Sequence, residues 1–93
     1  MILKITRSSR FKKDVKKCQK RGLKMQKLTR VIEDLSIPLS REDMARKYKD
    51  HALIGDFSGS RELHIQPDWL LIYEIIGDTL FLDRTGTHSD LFG

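Results

Sequence analysis

The sequence predicts an α+β fold, with an N-terminal helical hairpin packed on one face of a small antiparallel β-sheet. Two observations carry this. Apolar residues recur at helical spacing through the first half and at alternate positions from residue 61 onward. Charge divides in the same place: residues 1–50 hold 16 basic and 6 acidic side chains, whereas residues 51–93 hold 2 and 7. Ninety-three residues suit a single domain, 1–93, with a shallow core.

The elements follow in order. "ILKIT" (2–6) alternates as a short strand. "SSRFKKDVKKCQKRG" places Phe11, Val15 and Cys18 on one helical face, with Ser8 or Ser9 as N-cap and Gly22 as the stop. Met25, Leu28, Val31, Ile32 and Leu35 form a second stripe, so the two helices hide one face each. Pro38 ends the second helix, because it lacks an N–H and restricts Ile37. "REDMARKYKD" holds one or two helical turns with Ser40 as cap. "RELHI" (61–65), "WLLIYEII" (69–76) and "TLFLDRTG" (79–86) alternate as strands. Pro67-Asp68 and Gly77-Asp78 are the turns of an antiparallel meander.

Composition excludes several classes. No apolar run is long enough to cross a bilayer, and the start lacks the continuous apolar core of a secretory signal, so a cytoplasmic chain is expected. Cys18 is the only cysteine; it cannot form an internal disulfide, and its place on an apolar helix face makes it a small buried hydrophobe. The histidines are widely spaced with no His-x-x-x-His, so no metal site and no cofactor is expected. The basic half can attract a polyanion, although Lys-rich helices also serve merely to face water.

The chemistry rests on His51, His64 and His88. Imidazoles exchange protons near neutral pH at little cost. An RNA phosphodiester breaks when one group takes the proton of the neighbouring 2′-hydroxyl, another protonates the leaving 5′-oxygen, and a cation stabilises the crowded phosphorane. Strand parity puts Leu63 and Ile65 on the core side, and Glu62 and His64 on an open face where a substrate can reach them. Arg84 shares parity with Leu80 and Leu82, which leaves open whether it ends buried or at the rim. Asp68 reads as a turn cap or as a catalytic carboxylate. Trp69 and Tyr73 read as aromatic core, with Trp69 near enough to a turn to offer an edge for stacking. Phe92 reads as the tie for the terminus and as a contact for a base. Phosphates would be met by Arg84, Arg61 and the lysines of "RKYKDH", Lys47 and Lys49.

Two blocks then carry a resemblance. "YKDHALIGDFSGSRELHIQPDWLLIYEI" followed by "LDRTGTHSDLFG" resembles the YafQ branch of the RelE/ParE toxin superfamily, and the helical hairpin extends the match to nearly the whole chain. The resemblance implies a ribosome-dependent endoribonuclease that cuts mRNA in the ribosomal A site of the 30S subunit without a metal. It also implies a cognate antitoxin, contact with 16S rRNA, and operator DNA met only through the toxin–antitoxin complex. By resemblance, His88 is the principal acid–base histidine, and His51, His64 and Asp68 are further active-site residues. Arg84 faces phosphate and Phe92 positions RNA. Glu62 stands where the YafQ type member has an aspartate, and "LSREDMAR" is slightly longer than in that member. Two other readings share the fold: a ParE-like inhibitor of DNA gyrase, and a non-catalytic module that binds antitoxin or nucleic acid.

Overall fold

The computed structural model describes residues 4–37 and 41–93, with the Arg41 side chain left out of the description. The first positions of the expected 2–6 strand, the helix-ending Pro38 and the Ser40 cap lie outside the described residues. The order of elements is β1 (Lys4–Arg7), α1 (Ser9–Lys20), α2 (Met25–Ser36), α3 (Arg41–Tyr48), β2 (His51–Ala52), a 3₁₀ turn (Gly55–Phe57), β3 (Arg61–Gln66), β4 (Trp69–Ile76), β5 (Thr79–Gly86) and α4 (His88–Phe92).

The sheet has five strands in the order β1-β5-β4-β3-β2. The meander of β3, β4 and β5 is antiparallel, as its turns require. The sequence reading did not include β2, which pairs antiparallel with β3, or the parallel pairing of β1 with β5. The sheet is therefore mixed. Parallel pairing follows from the path of the chain, because β1 and β5 lie far apart in sequence and no hairpin forces them to run in opposite directions.

Ser8 begins α1 as expected, its Oγ accepting from the Phe11 amide at 2.9 Å while donating to the Asp83 carbonyl at 2.7 Å. Gly22, at φ +84°, turns the chain from α1 toward α2 in the left-handed conformation that glycine tolerates best. The helices cover one sheet face. Phe11 and Cys18 from α1, Leu28, Val31 and Leu35 from α2, and Met44 and Tyr48 from α3 pack on Leu63, Leu71, Tyr73, Leu80 and Leu82. Burial pushes the Cys18 thiol above its usual range, which agrees with an inert core residue. Trp69 is fully buried in the same core and donates through Nε1 to Thr85 Oγ1 at 3.0 Å. It has no edge left for stacking.

The other sheet face has a small apolar patch, Leu70 and Ile72, covered by Leu91 of α4 with Leu53 beside it. Among the described residues, no helix is long and apolar enough to cross a membrane.

Candidate active site

Cross-strand pairing assigns each side chain to a face. Glu62 stands opposite Ile72 and His64 opposite Leu70, so both project on the face away from α1 and α2. β2 pairs His51 with Glu62 and brings the first histidine onto the same face. Its ring is oriented by an Nδ1 contact of 2.9 Å to the carbonyl of Lys49, a residue held at φ +55°. His88 arrives from the far end of the chain as the first residue of α4. The three imidazoles form a row: the His51 and His64 ring centroids are 6.4 Å apart, and those of His64 and His88 are 6.0 Å apart.

Two carboxylates sit behind the row. Glu62 Oε1 lies 3.5 Å from His64 Nε2 and 3.8 Å from His51 Nε2. Parity correctly placed Glu62 on the histidine face, but the expectation that a substrate reaches it does not hold, since its side chain is only 7% exposed. Asp68 accepts twice from one residue, from the His88 amide at 3.0 Å and from His88 Nδ1 at 2.7 Å. The backbone hydrogen bond and then the ring hold its carboxyl below the usual carboxylate range. An ionised Asp68 accepts from Nδ1, and the ring's Nε2 has no partner among the described residues.

The segment carrying His88 is fixed at three points. Thr87 Oγ1 accepts from the Asp90 amide at 3.1 Å, and Asp90 Oδ2 accepts from the Thr87 amide at 3.0 Å, closing a reciprocal cap. Asp90 also takes a forked pair from Arg21 at the end of α1, with Nη1 to Oδ2 at 2.5 Å and Nη2 to Oδ1 at 2.9 Å. This pairing, with the Thr87 amide, holds the Asp90 carboxyl far below the usual range. Gly86 makes the approach possible, since a Cβ there would lie 2.8 Å from Asp90 Oδ2. The third point is Leu91, buried on Leu70 and Ile72. The tie expected of Phe92 is thus shared with its neighbours. Phe92 is 45% exposed, and its ring lies 6.4 Å from His88 and edge-on to Phe57 at 5.4 Å.

The expected phosphate-binding residues separate. Tyr73 stands opposite both Arg61 on β3 and Leu82 on β5, so Arg61 belongs to the helix-covered face. There Arg61 Nε donates to Asp50 Oδ1 at 2.7 Å, and the Tyr73 hydroxyl donates to Asp50 Oδ2. Lys47 points to α2 and pairs with Asp34 at 2.9 Å. Neither is brought to the histidines, because each is taken by a carboxylate of the helical side. Lys49 is exposed beside His51 and has no ion pair among the described residues.

Arg84 requires a correction of face. Ile72 pairs with Arg84 but Tyr73 pairs with Leu82, so Asp83 is an extra residue that reverses the alternation. By register Arg84 therefore leaves the face of Leu80 and Leu82, although its side chain turns back toward α1. Its guanidinium is held by Asp14 of α1, with Nε to Oδ2 at 2.7 Å and Nη2 to Oδ1 at 3.2 Å. Asp14 also accepts from the Thr85 amide at 3.2 Å. No spacing or motif singles out Asp14 or Phe57. Among the described residues, no group of three or more His, Cys, Asp or Glu is placed to hold a metal ion.

Residues 3–93 match the family described as bacterial toxin of type II toxin–antitoxin system, YafQ. The mRNA interferase toxin YafQ of Escherichia coli strain K12 is 43% identical over 89 residues, which cover 92% of this chain and 91% of that protein. A putative toxin YafQ of Haemophilus influenzae is 33% identical over 91 residues, 94% of this chain and 89% of that protein. The fold is similar to a chain of the E. coli DinJ–YafQ toxin–antitoxin complex, with a TM-score of 0.84, 41% identity and complete coverage of both chains.

Proposed function

Because the chain belongs to the YafQ family of type II toxins, we propose that it is an mRNA endonuclease that cuts on the ribosome by acid–base catalysis and is neutralised by a cognate antitoxin. The observation that supports this best is the row of three imidazoles, drawn from β2, β3 and α4 and backed by Glu62 and Asp68. Such a row offers separate groups to take a proton and to give one.

In this reading His64 accepts the proton of the 2′-hydroxyl, and the buried Glu62 carboxylate stabilises the imidazolium that forms. The 2′-oxygen bonds to phosphorus as the bond from phosphorus to the 5′-oxygen breaks. His88, its Nδ1 held by Asp68, gives its Nε2 proton to the leaving oxygen. The products are a 2′,3′-cyclic phosphate and a 5′-hydroxyl; His64 then gives its proton to solvent and His88 recovers one from it. His51 shares Glu62 with His64 and helps to set its position. Arg84 stabilises the phosphorane with the guanidinium atoms that Asp14 leaves free.

The basic half of the chain, including Lys49, holds ribosomal RNA, and the same positive surface suits an acidic antitoxin segment. Primer extension on a message with and without ribosomes, followed by end-group analysis, tests the proposal. Cuts that need ribosomes and leave a cyclic phosphate are expected. Inhibition of supercoiling with no cut message would replace this reading with the gyrase one.

A further inference from the structure

We infer that Arg21 is a positioning residue for the cut: through Asp90 it fixes how α4 lies and so where the His88 ring stands. The inference rests on the endonuclease reading above. α4 has only five residues, too few to be stable as an isolated helix, so its place depends on what it touches. The His88–Asp68 pair is open to water, with side chains 54% and 64% exposed, and is a weak anchor. The Thr87–Asp90 cap closes α4 on itself without tying it to another element. Leu91 on the sheet and Phe92 against Phe57 do tie it down, but apolar contact is non-directional and leaves the helix free to roll.

The Arg21 fork supplies the missing direction. Its two bonds, 2.5 and 2.9 Å, join planar groups in one orientation, and Lys17 adds a contact of 3.4 Å to Asp90 Oδ1. A helix advances about 100° per residue, so the side chains of His88 and Asp90 leave α4 in nearly opposite directions. Drawing Asp90 to α1 therefore turns His88 toward the imidazole row. The same side of α1 carries Asp14, which takes the Arg84 guanidinium. Asp14, Lys17 and Arg21, spaced three and then four apart, thus hold two groups of the site from one helix.

The test removes the need for the His88 proton. In a message whose bridging 5′-oxygen at the cut is replaced by sulfur, the leaving group departs as a thiolate and needs no acid, whereas the normal alkoxide does. Single-turnover rates on programmed ribosomes are measured with both messages for the native protein, His88→Ala, Arg21→Ala and Arg21→Lys. Saturating protein keeps any change in ribosome binding out of the rate.

On the normal message Arg21→Ala is expected to lose about 10–10²-fold, because a displacement of about 1 Å at a reacting group costs that much, and Arg21→Lys should recover part of the loss. On the sulfur message both Arg21→Ala and His88→Ala should come close to the native rate. Native-rate cleavage of the normal message by Arg21→Ala would overturn the inference. Equal losses on the two messages would overturn it as well, since they mark a role in structure or binding that does not pass through His88. A defect of His88→Ala that persists on the sulfur message removes the acid role of that ring, and this inference with it. Absence of ribosome-dependent cleavage of either message by the native protein removes the endonuclease reading itself.

Discussion

The two faces of the sheet are cut from the same strands, yet they treat charge in opposite ways. On the helix-covered face each buried charge is matched. Asp50 is closed off by Arg61 and Tyr73, and burial followed by the Asp50 contact pushes the Tyr73 hydroxyl well above its usual range. On the histidine face the imidazoles and Glu62 are gathered without being closed off, and Arg84 is taken by a carboxylate, Asp14 of α1. Glu62 sits within 3.5–3.8 Å of two imidazoles, and His88 has Nδ1 held while Nε2 has no partner among the described residues. Neighbouring residues of one strand, Arg61 and Glu62, thus serve stability and chemistry respectively. Residue type does not separate them; the partner on the next element does.

Asp50→Ala probes the closed face most severely. It strands Arg61 and the Tyr73 hydroxyl inside the protein, and a loss of about 3–5 kcal/mol in unfolding free energy is expected by denaturant titration. A loss under about 1 kcal/mol would show that this face is not closed as described. Asp68→Asn probes the open face. It removes the charge that keeps the His88 Nδ1 proton in place, so cleavage should fall, though less than when His88 itself is lost, while the denaturation midpoint stays near native. Equal loss of stability and cleavage would erase the contrast between the faces.

Acid sharpens the comparison through Asp90, which links α4 to α1. Its carboxyl is depressed in the folded state, first by Arg21 and then by the Thr87 amide. Its contribution is therefore present above the unfolded carboxylate pKa of about 3.9 and is lost as pH falls through the lower folded value. Protection of the α4 amides against exchange, taken relative to the intrinsic rate at each pH, should be full at pH 5 and fall below about pH 4. Asp90→Asn should lower that protection at pH 5, match the native protein at the acid end, and so flatten the dependence. The smallest effect separates two lysines. Lys49→Ala is expected to lower the salt slope of ribosome binding by about one, whereas Lys47→Ala, its ammonium already on Asp34, should leave the slope unchanged.

Much of the fold was legible because its determinants are local. Ser8 as cap, Gly22 as stop, the helical stripes and the period-two strands are set by neighbours in sequence. The histidine face was legible for the same reason, since alternation around Leu63 fixes the direction of Glu62 and His64. What escaped notice depends on single-residue or long-range events. The bulge at Asp83 moves Arg84 to the other face, and nothing in "FLDRTG" announces it. Arg61 looks like any other strand cation until Asp50 folds beneath it. The anchoring of α4 needed Arg21, nearly seventy positions earlier, and Phe57 needed Phe92; neither pairing leaves a periodic trace. Glu62 was placed on the right face but at the wrong depth, because β2 was not foreseen.

The central claim is that the imidazole on α4 delivers the proton that completes the cut. The most direct measurement is ribosome-dependent cleavage by His88→Ala beside the native protein, with ribosome co-sedimentation and the denaturation midpoint recorded on the same preparations. A fall in single-turnover rate of about 10²–10⁴-fold is expected, with binding and midpoint close to native. Cleavage at the native rate by that variant would contradict the account.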